Sequence, residues 1–412
     1  MVSLSFKKSE FSYEHKRILK DTIITETGPG TILRDFDAII NYLKEKDLPV
    51  SGTHQFPRSL LPEINTLLSR PIQLGLKRPD QKSYPHIDGL YLLLRASGLA
   101  CIGGRGRKLF LLVDKGIYQI WEGLTPTEKY FTLFETWLLR GKEEIIGGPN
   151  RSPIPDNFTG WAHLFEFIPK KGLQVMGDKG TEYSIRYIPG WHNLGLLELV
   201  GLITIKPASP IGGEGWQIER IDRTAFGDAF LALLYRKFLS NDKYMVLEKD
   251  EKATVGKLQP LLQPYFPEWK KTLSILERVF LEGTYIFKVS LGRVRFRIAI
   301  PAGYSLASLS SFILDTVKFD YDHLYRFEYE SPFGALERVN HPYMDEGPGA
   351  DDVLIGNLPL RIGQKMSYLY DFGDNWEFEV TLGQIDLDRK IKKPILLEQH
   401  GKPPTQYPTY EM

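Results

Sequence analysis

The chain of 412 residues has a single cysteine, Cys101, and no long apolar run. One cysteine excludes an intramolecular disulfide and fits a reducing compartment. Because Cys101 lies between Ala100 and Ile102, we expect it to be a small buried hydrophobic side chain. No stretch approaches the roughly 20 apolar residues that span a bilayer. The early charges of Lys7 and Lys8 exclude the apolar core of a signal peptide. These absences predict a cytoplasmic protein that does not contact a membrane.

Net charge is also nearly absent, because 52 lysines and arginines balance 51 aspartates and glutamates. A formal charge of +1 does not mark a protein that binds nucleic acid over its whole surface, although local basic patches still could. The hydrophobic fraction of 42% and the charged fraction of 25% are typical of a globular protein. The length indicates about two to four domains of ordinary size.

Motifs of the common catalytic sites are missing as well. The sequence has no phosphate-binding loop motif, no dinucleotide-binding glycine motif, no Cys-x-x-Cys pair and no His-Glu-x-x-His. Early serines such as Ser9 lack the clustered arginines of a serine recombinase, and the late Tyr407 and Tyr410 lie in a Pro-rich tail without a basic cluster. The sequence therefore leaves catalysis uncertain and favours a protein that is not an enzyme.

Two segments of the N-terminal half share one pattern. In each, an apolar helix ends at a Gly-Leu pair, at Gly98 and at Gly201, and a strand, a glycine-rich loop and a return strand follow. Glycine at a helix end adopts the left-handed conformation that terminates the helix. A further apolar helix comes next, over residues 129–139 and 226–239. Helix, β-hairpin and helix form the pattern of a winged-helix module, and ordinary helix–hairpin units that pack a core fit the same pattern.

The chain is accordingly divided into three parts. Residues 1–150 are predicted to be a helical region with one winged-helix-like unit. Residues 151–283 are predicted to hold a second such unit and Pro-rich connector helices. The remaining residues, 284–412, form a separate α+β domain, so the expected fold class is α+β with a mostly helical N-terminal region.

The glycine-rich loop of the first winged-helix-like unit is basic. It holds Arg105, Arg107 and Lys108 among glycines, whereas the second loop carries Glu214 and Trp216. Glycines let a backbone approach another chain closely, and cations displace counterions from phosphates. Arg105, Arg107 and Lys108 are therefore candidate contacts to DNA.

From Thr284 onward, apolar residues occupy every second position, which is typical of strands with one buried face. The first two strands place these residues at Tyr285, Phe287, Val289 and Leu291, and then at Val294, Phe296, Ile298 and Ile300. Ser305 can cap a helix whose apolar stripe would cover this face. Residues 325–330 and 376–380 alternate in the same way. The sequence thus predicts an antiparallel sheet with one apolar face, covered by a helix, and one charged face.

Arg293, Arg295 and Arg297 share the charged face of this sheet. They could contact phosphates, and we count them with the candidate nucleic-acid-binding residues. The alternative is pairing across strands with acidic residues of the same face, which stabilises a sheet by roughly 0.2–1 kcal/mol per pair. The acidic residues considered for that pairing are Glu328, Glu330, Glu377 and Glu379.

The last third of the chain resembles the plasmid pRiA4b ORF-3-like family. The resemblance covers about residues 284–410 and rests on separated motifs in the family's order. These are Ile298-Ala-Ile-Pro, the helix from Ser305, Asp322-His-Leu-Tyr-Arg-Phe, Tyr370-Asp-Phe-Gly-Asp-Asn-Trp-Glu and a Pro-rich tail. Long members carry N-terminal extensions similar to residues 60–280. Because some members are described as transposon passenger or resolvase-like proteins, the resemblance implies a link to mobile elements, but it implies no defined reaction.

A possible metal site lies within these motifs. Asp371, Asp374 and Glu377 fall within seven residues, and His323 is on another element. Three carboxylates and an imidazole could hold a divalent metal, which could support phosphoryl chemistry. The alternative is a structural turn, because Asp371 and Asp374 flank a glycine as a hairpin requires.

Three functions follow as hypotheses. The first is a non-enzymatic DNA-associated or adaptor protein linked to mobile elements. The second is a metal-dependent enzyme that acts on nucleic acid through His323, Asp371, Asp374 and Glu377. The third is a protein-interaction scaffold whose acidic loop, residues 344–352, docks a basic partner. It belongs to a longer predicted loop, residues 331–358, which is rich in Gly, Pro and acidic residues and is expected to be either mobile or functional.

Overall fold

The computed structural model describes residues 11–105, 108–148, 157–187, 189–238, 255–273 and 280–407. The chain forms two compact units: residues 1–102 with 108–275, and residues 103–107 with 276–412. Within the described ranges, no helix combines the length and the apolar character that a membrane span requires. The mixture of helices and sheets confirms the predicted α+β class.

The first 275 residues are mostly helical. Their helices are α1 (Tyr13–Asp21), α2 (Ile32–Glu45), α3 (Leu61–Leu67), α4 (Pro85–Ala96), α5 (Lys115–Glu122), α6 (Pro126–Arg140), α7 (Asn157–Phe167), α8 (Lys179–Tyr187), α9 (Trp191–Leu199), α10 (Ala225–Phe238) and α11 (Gln259–Leu262). Their strands are β1 (Leu48–Val50), β2 (Ala100–Arg105), β3 (Lys108–Val113), β4 (Leu173–Gln174), β5 (Ile203–Pro207) and β6 (Ile218–Arg223).

The two segments that share a sequence pattern also share an order of elements. Each has a helix, a short strand, two helices and a β-hairpin, from α2 to β3 and from α7 to β6. In each three-stranded sheet the short strand pairs with the return strand, in the orders β1-β3-β2 and β4-β6-β5. Gly98 and Gly201 have φ angles of 76° and 81°, so both helices end in the left-handed glycine that the sequence predicts.

Helices α4 and α9 pack against each other through glycines. All 12 residues of α4 are buried, as are all those of α9 except Trp191. A Cβ atom on Gly195 would lie 2.9 Å from the carbonyl carbon of Pro85, and one on Gly89 would lie 2.6 Å from Cγ of Leu196. The close approach of the helices therefore requires both glycines. The buried side chains of the two segments form one continuous core. The predicted division at residue 150 stays a prediction.

Two carboxylates on α6 hold the Pro-rich segment that follows the second repeat. Glu135 accepts the backbone N–H of Leu258 at 2.6 Å. Glu128, two turns earlier, accepts the N–H of Lys271 at 2.7 Å. The indole of Trp269 stacks on a phenyl ring of the same helix, 4.5 Å away. The segment 255–273 is thus fixed to α6 by backbone hydrogen bonds and by ring packing.

The second unit contains α12 (Leu306–Val317) and seven strands. The strands are β7 (Thr284–Leu291), β8 (Val294–Pro301), β9 (Tyr325–Glu330), β10 (Leu336–Asn340), β11 (Lys365–Tyr370), β12 (Trp376–Asp386) and β13 (Ile395–His400). They form one antiparallel sheet in the order β10-β9-β11-β12-β7-β8-β13.

The predicted faces of this sheet are confirmed. Val294, Phe296 and Ile298 are at most 3% exposed, whereas Arg293 and Arg295 are exposed. The hydroxyl of Ser305 accepts the N–H of Ser308 and so caps α12 as predicted, and the apolar stripe of α12 packs in the same core.

Two expectations need correction. The long stretch 331–358 is not without regular structure, because it contains β10 and a 3₁₀ helix, Ile355–Asn357. The tail is not only a Pro-rich closing segment, because it supplies the edge strand β13. Both strands lie at the edges of the sheet, where one neighbour suffices and the sequence pattern is weak.

Candidate functional site

The structure brings two of the four predicted metal ligands together. His323 Nε2 lies 3.4 Å from Asp371 Oδ2. Asp374 is exposed in the turn after β11. Glu377 lies opposite Leu369 on the open face of the sheet, because adjacent strand residues point to opposite faces. Within the described ranges, no group of three His, Cys, Asp or Glu side chains could hold a metal ion. The metal site therefore stays a prediction. Asp374 and Glu377 would need to move before all four ligands could bind one ion.

Asp371 has a structural role in its turn. Its φ of 58° is in the left-handed region, which is uncommon for a residue with a side chain. Its carboxylate accepts the N–H of Gly373 at 2.9 Å, and its own N–H donates to the carbonyl of Leu324 at 3.0 Å. This carboxylate is thus held where it faces His323.

The C-terminal tail closes over the segment that carries His323. The hydroxyl of Tyr407 donates to Asp322 Oδ2 at 2.8 Å and lies 3.1 Å from His323 Nε2. Gln406 accepts the N–H of Asp320 at 2.6 Å. Desolvation and the carboxylate of Asp322 raise the pKa of Tyr407 to about 12, while the hydrogen bond from Tyr407 lowers the pKa of Asp322. We call these contacts the tail clamp.

Beside the tail clamp lies a cleft of about 340 Å³. This volume is at the lower end of the roughly 300–1,000 Å³ of small-ligand sites. Its walls consist mainly of four tyrosines, two histidines and two serines of α12, namely Tyr321, Tyr325, Tyr343, Tyr370, His323, His341, Ser310 and Ser311. We call it the aromatic cleft.

The rings of the aromatic cleft stand at steep angles to one another. Tyr325 and His341 have centroids 4.7 Å apart and planes at 75°. His341 and Tyr343 are 5.0 Å apart at 61°. His323 and Tyr370 are 6.0 Å apart at 82°. Edge-to-face pairs of this kind are favourable, and they surround a space with rings instead of stacking them flat against each other.

The floor of the aromatic cleft is a buried hydrogen bond. The hydroxyls of Ser310 and Tyr368 are 2.6 Å apart, and both residues are at most 1% exposed. Burial raises the pKa of Tyr368 well above its ordinary value, so this phenol is protonated near neutral pH.

Ser310→Ala is expected to lower the free energy of unfolding of the second unit by about 1–3 kcal/mol, because it leaves the buried Tyr368 hydroxyl without this partner. The double variant with Tyr368→Phe should lose at least about 0.5 kcal/mol less than the sum of the two single changes, since both ends of the bond are then removed. Urea denaturation measures all three variants. Strict additivity would contradict the proposed coupling.

Carboxylates surround the aromatic cleft. The hydroxyl of Tyr321 donates to Asp315, and Asp322 Oδ1 lies 3.6 Å from His323 Nε2. The charge of Asp351 acts on both Tyr325 and His341. Burial lowers the pKa of His341, which favours its neutral form near pH 7. None of the described residues that line the cleft is a lysine or an arginine.

The candidate nucleic-acid-binding residues lie on different elements, and some of them lie outside the described residues. Arg107 and the side chain of Arg105 lie outside the described residues, and Lys108 begins β3 as an exposed residue. Arg293 is exposed in the turn between β7 and β8, and Arg295 is exposed on the open face. Arg297 lies 3.5 Å from Glu398 of β13.

The acidic residue beside Arg297 is not one of those that the sequence pattern predicted. Glu379 pairs with Lys365 at 2.7 Å, and Glu328 pairs with Arg338 at 2.8 Å. The reason is the strand order, because β7 separates β8 from β12 and the edge strand β13 brings Glu398 alongside.

Sequence reasoning missed most of the aromatic cleft. The sequence predicted Tyr325 only as part of an alternating strand and of a family motif, and His341 and Tyr343 were not considered. The segments 320–325 and 341–343 are both dense in aromatic and histidine residues. That density was a usable signal, but their meeting beside α12 depends on the strand order.

Comparisons with known proteins find a match in the C-terminal region. A family model described as plasmid pRiA4b ORF-3-like protein matches residues 284–406. A crystal structure of a protein of unknown function from Methanosarcina mazei Go1 is 26% identical, covers 29% of this chain and 70% of that chain, and has a TM-score of 0.27. No curated protein matches the chain. The C-terminal region of this chain, residues 284–406, is a plasmid pRiA4b ORF-3-like domain.

Proposed function

We propose that the protein is a non-enzymatic adaptor whose pRiA4b ORF-3-like domain binds a partner group in the aromatic cleft. The observation that carries this proposal is the set of six aromatic and imidazole rings around a cleft of about 340 Å³. Concave sites with apolar or aromatic walls and a few fixed polar groups are the usual form of a binding site. Ser310 and Tyr368 supply such a fixed polar group at the floor.

The contacts of His323 favour binding over catalysis. A general base needs a ring nitrogen free to reach the proton of a substrate. Here Nε2 already faces the hydroxyl of Tyr407 at 3.1 Å and Asp371 at 3.4 Å. These contacts fasten the tail and orient the ring, so His323 serves as a wall of the cleft.

The N-terminal repeats also support the proposal that the protein is an adaptor. Their element order and sheet order support the winged-helix interpretation. In a DNA-binding helix-turn-helix protein, the second helix of the motif lies in the major groove. The corresponding helices are α4 and α9, and they are buried against each other. We infer that these repeats form a scaffold and do not insert these helices into DNA.

A ligand screen by thermal shift tests the proposed function. Purified full-length protein is exposed to a panel of small cations, anions and neutral compounds, and binders are compared with a variant whose cleft is blocked by Ser311→Lys. Ser311 is exposed on α12 and lines the cleft, so the long side chain can enter the space without disturbing the core. The matched control is Ser311→Ala. Stabilisation of wild type and Ser311→Ala, with none for Ser311→Lys, is the expected result, and no stabilisation by any class would reject the proposal.

DNA association linked to mobile elements is a second candidate. The observation in its favour is the exposure of Arg293 in the turn between β7 and β8 and of Arg295 on β8. With Arg297 of β8 and its strand partner Lys288 of β7, they form a basic patch that could follow a phosphate chain.

Salt-dependent DNA binding tests this second candidate. Changing Arg293 and Arg295 to alanine should reduce the slope of log Kobs against log salt by about 2, because each neutralised phosphate contributes about 0.9. The exposed pair Lys16 and Arg17 of α1 gives the control variant. The loop residues Arg105, Arg107 and Lys108 form a separate triple variant. Absence of retention at low salt, or equal slopes in all variants, would remove DNA from the candidates.

A further inference from the structure

The charge around the aromatic cleft indicates a class of ligand, and this inference rests on the proposed binding function. Tyrosine and histidine rings line the cleft, and the face of an aromatic ring carries the negative part of its quadrupole. Asp315, Asp322 and Asp351 add full negative charges near Tyr321, His323 and Tyr325. These three carboxylates are exposed, so their field extends into the open side of the cleft.

An anion finds no permanently charged partner among the described residues that line this cleft. No lysine or arginine occurs among the described residues that line it. Burial lowers the pKa of His341, so that ring contributes no charge near neutral pH. A phosphate or carboxylate ligand would lie close to Asp315, Asp322 and Asp351 without a cation to balance it.

A strongly hydrated cation is also a poor occupant. The walls consist of rings and hydroxyls, and within the described ranges no group of three acidic or histidine side chains could hold a metal ion. An organic ammonium group has a diffuse charge and an apolar surface. Contacts with ring faces and attraction to nearby carboxylates both stabilise it. Tyr321 and Tyr343 are 56% and 87% exposed, so their rings are accessible to such a group.

We propose that the aromatic cleft binds an organic ammonium cation, such as a methylated amine, against the rings of Tyr321 and Tyr343 and in the field of the nearby aspartates. The group could belong to a free metabolite or to a modified lysine of a protein partner. Tyr343 is 87% exposed and forms the outer wall, so it is the ring that a ligand would cover last.

The test compares a cation with its neutral isostere. Calorimetric titration of full-length protein with choline, and with 3,3-dimethylbutan-1-ol, changes the charge and keeps the shape. Choline should bind at least tenfold more tightly than the alcohol. Tyr343→Ala should weaken choline binding about 3- to 30-fold, the effect of losing one cation–π contact, whereas Tyr343→Phe keeps a ring and should retain affinity. The exposure of Tyr343 makes both variants compatible with folding, which circular dichroism verifies.

Further titrations distinguish a metabolite from a protein partner as the source of the cation. They also distinguish failure of the ligand class from failure of the binding function. Preference for a trimethyllysine peptide over choline would assign the ligand to a protein partner, and the reverse preference to a metabolite. Equal binding of choline and its isostere, or binding of anions only in the charge-sorted panel, would overturn the ligand class and leave the binding function intact. If no compound of any charge binds, the proposed function and the ligand class both fall.

Discussion

Replacing Gly195 with leucine is expected to lower the free energy of unfolding of the first unit by about 3 kcal/mol or more. The Cβ atom alone would come within 2.9 Å of the backbone of α4, and the backbone cannot rotate away as a side chain can. Leucine is the better helix former by roughly 0.8 kcal/mol, so the loss reports packing and not propensity. Urea denaturation followed by circular dichroism gives the value.

Gly212→Leu is the matched control for this change. Gly212 is exposed and has no atom within 4 Å of the position that a Cβ would take, so the same substitution there should alter stability by less than about 0.5 kcal/mol. Equal effects at both positions would contradict the close packing of α4 and α9. The same denaturation curves bear on the division at residue 150, because separate transitions for the two repeats would support it.

Asp88→Asn is expected to change how stability depends on pH. Asp88 is 3% exposed, and burial raises its pKa from 3.8 to about 7. The unfolded chain releases this proton near pH 4, while the folded protein keeps it up to about pH 7. Stability therefore falls as pH rises through this window. Asparagine carries no charge and can still accept the bond from Gln81 Nε2, which is 2.8 Å long in the wild type.

Other buried groups shape the same window. Burial raises the pKa of Glu135 to about 7, which adds to the effect of Asp88. Burial lowers the pKa of His192 to about 4. The unfolded imidazole takes up a proton below about pH 6.5 and the folded one does not, so this group makes stability rise from pH 4 to 6.5. The opposed slopes partly cancel in the wild type, which is why the variant must be compared with the wild type at each pH.

The stability of Asp88→Asn relative to wild type should increase by at most about 4 kcal/mol between pH 4.5 and 7.5, since roughly three pKa units correspond to that energy. Chemical denaturation at six pH values measures this difference. Glu45→Gln, at an exposed position of α2, is the control and should give a constant difference. A constant difference for Asp88→Asn as well would show that this carboxyl titrates alike in both states.

Local signals predicted the elements that have strong periodicity and clear caps. The alternation of Val294, Phe296 and Ile298 defined both faces of the sheet, and Ser305 and Gly98 marked helix ends before any coordinates were known. The edge strands β10 and β13 escaped prediction because an edge strand buries little and has no strict alternation. Three of the six residues of β13 are Glu398, Gln399 and His400.

The candidate site was less predictable than the fold. The residues next to Asp371 in the sequence predict its turn well. They give no information on its distance to His323. The aromatic cleft joins α12, the segment before β9 and the segment after β10, and their proximity depends on long-range strand pairing. The burial of α4 and α9 likewise depends on the packing of two distant repeats, so the winged-helix pattern of the sequence could not show it.

The edge strand β13 has a consequence for handling the protein at high concentration. Ile395 and Leu396 are 37% and 39% exposed there, beside a row of backbone groups that have no neighbouring strand on the outer side among the described residues. Such an edge can template intermolecular sheets. Lys392, Lys393 and Pro394 come directly before it and act as gatekeepers, because charge and proline both oppose the addition of another strand. Solubility of the domain therefore depends on a few side chains that have no part in ligand recognition.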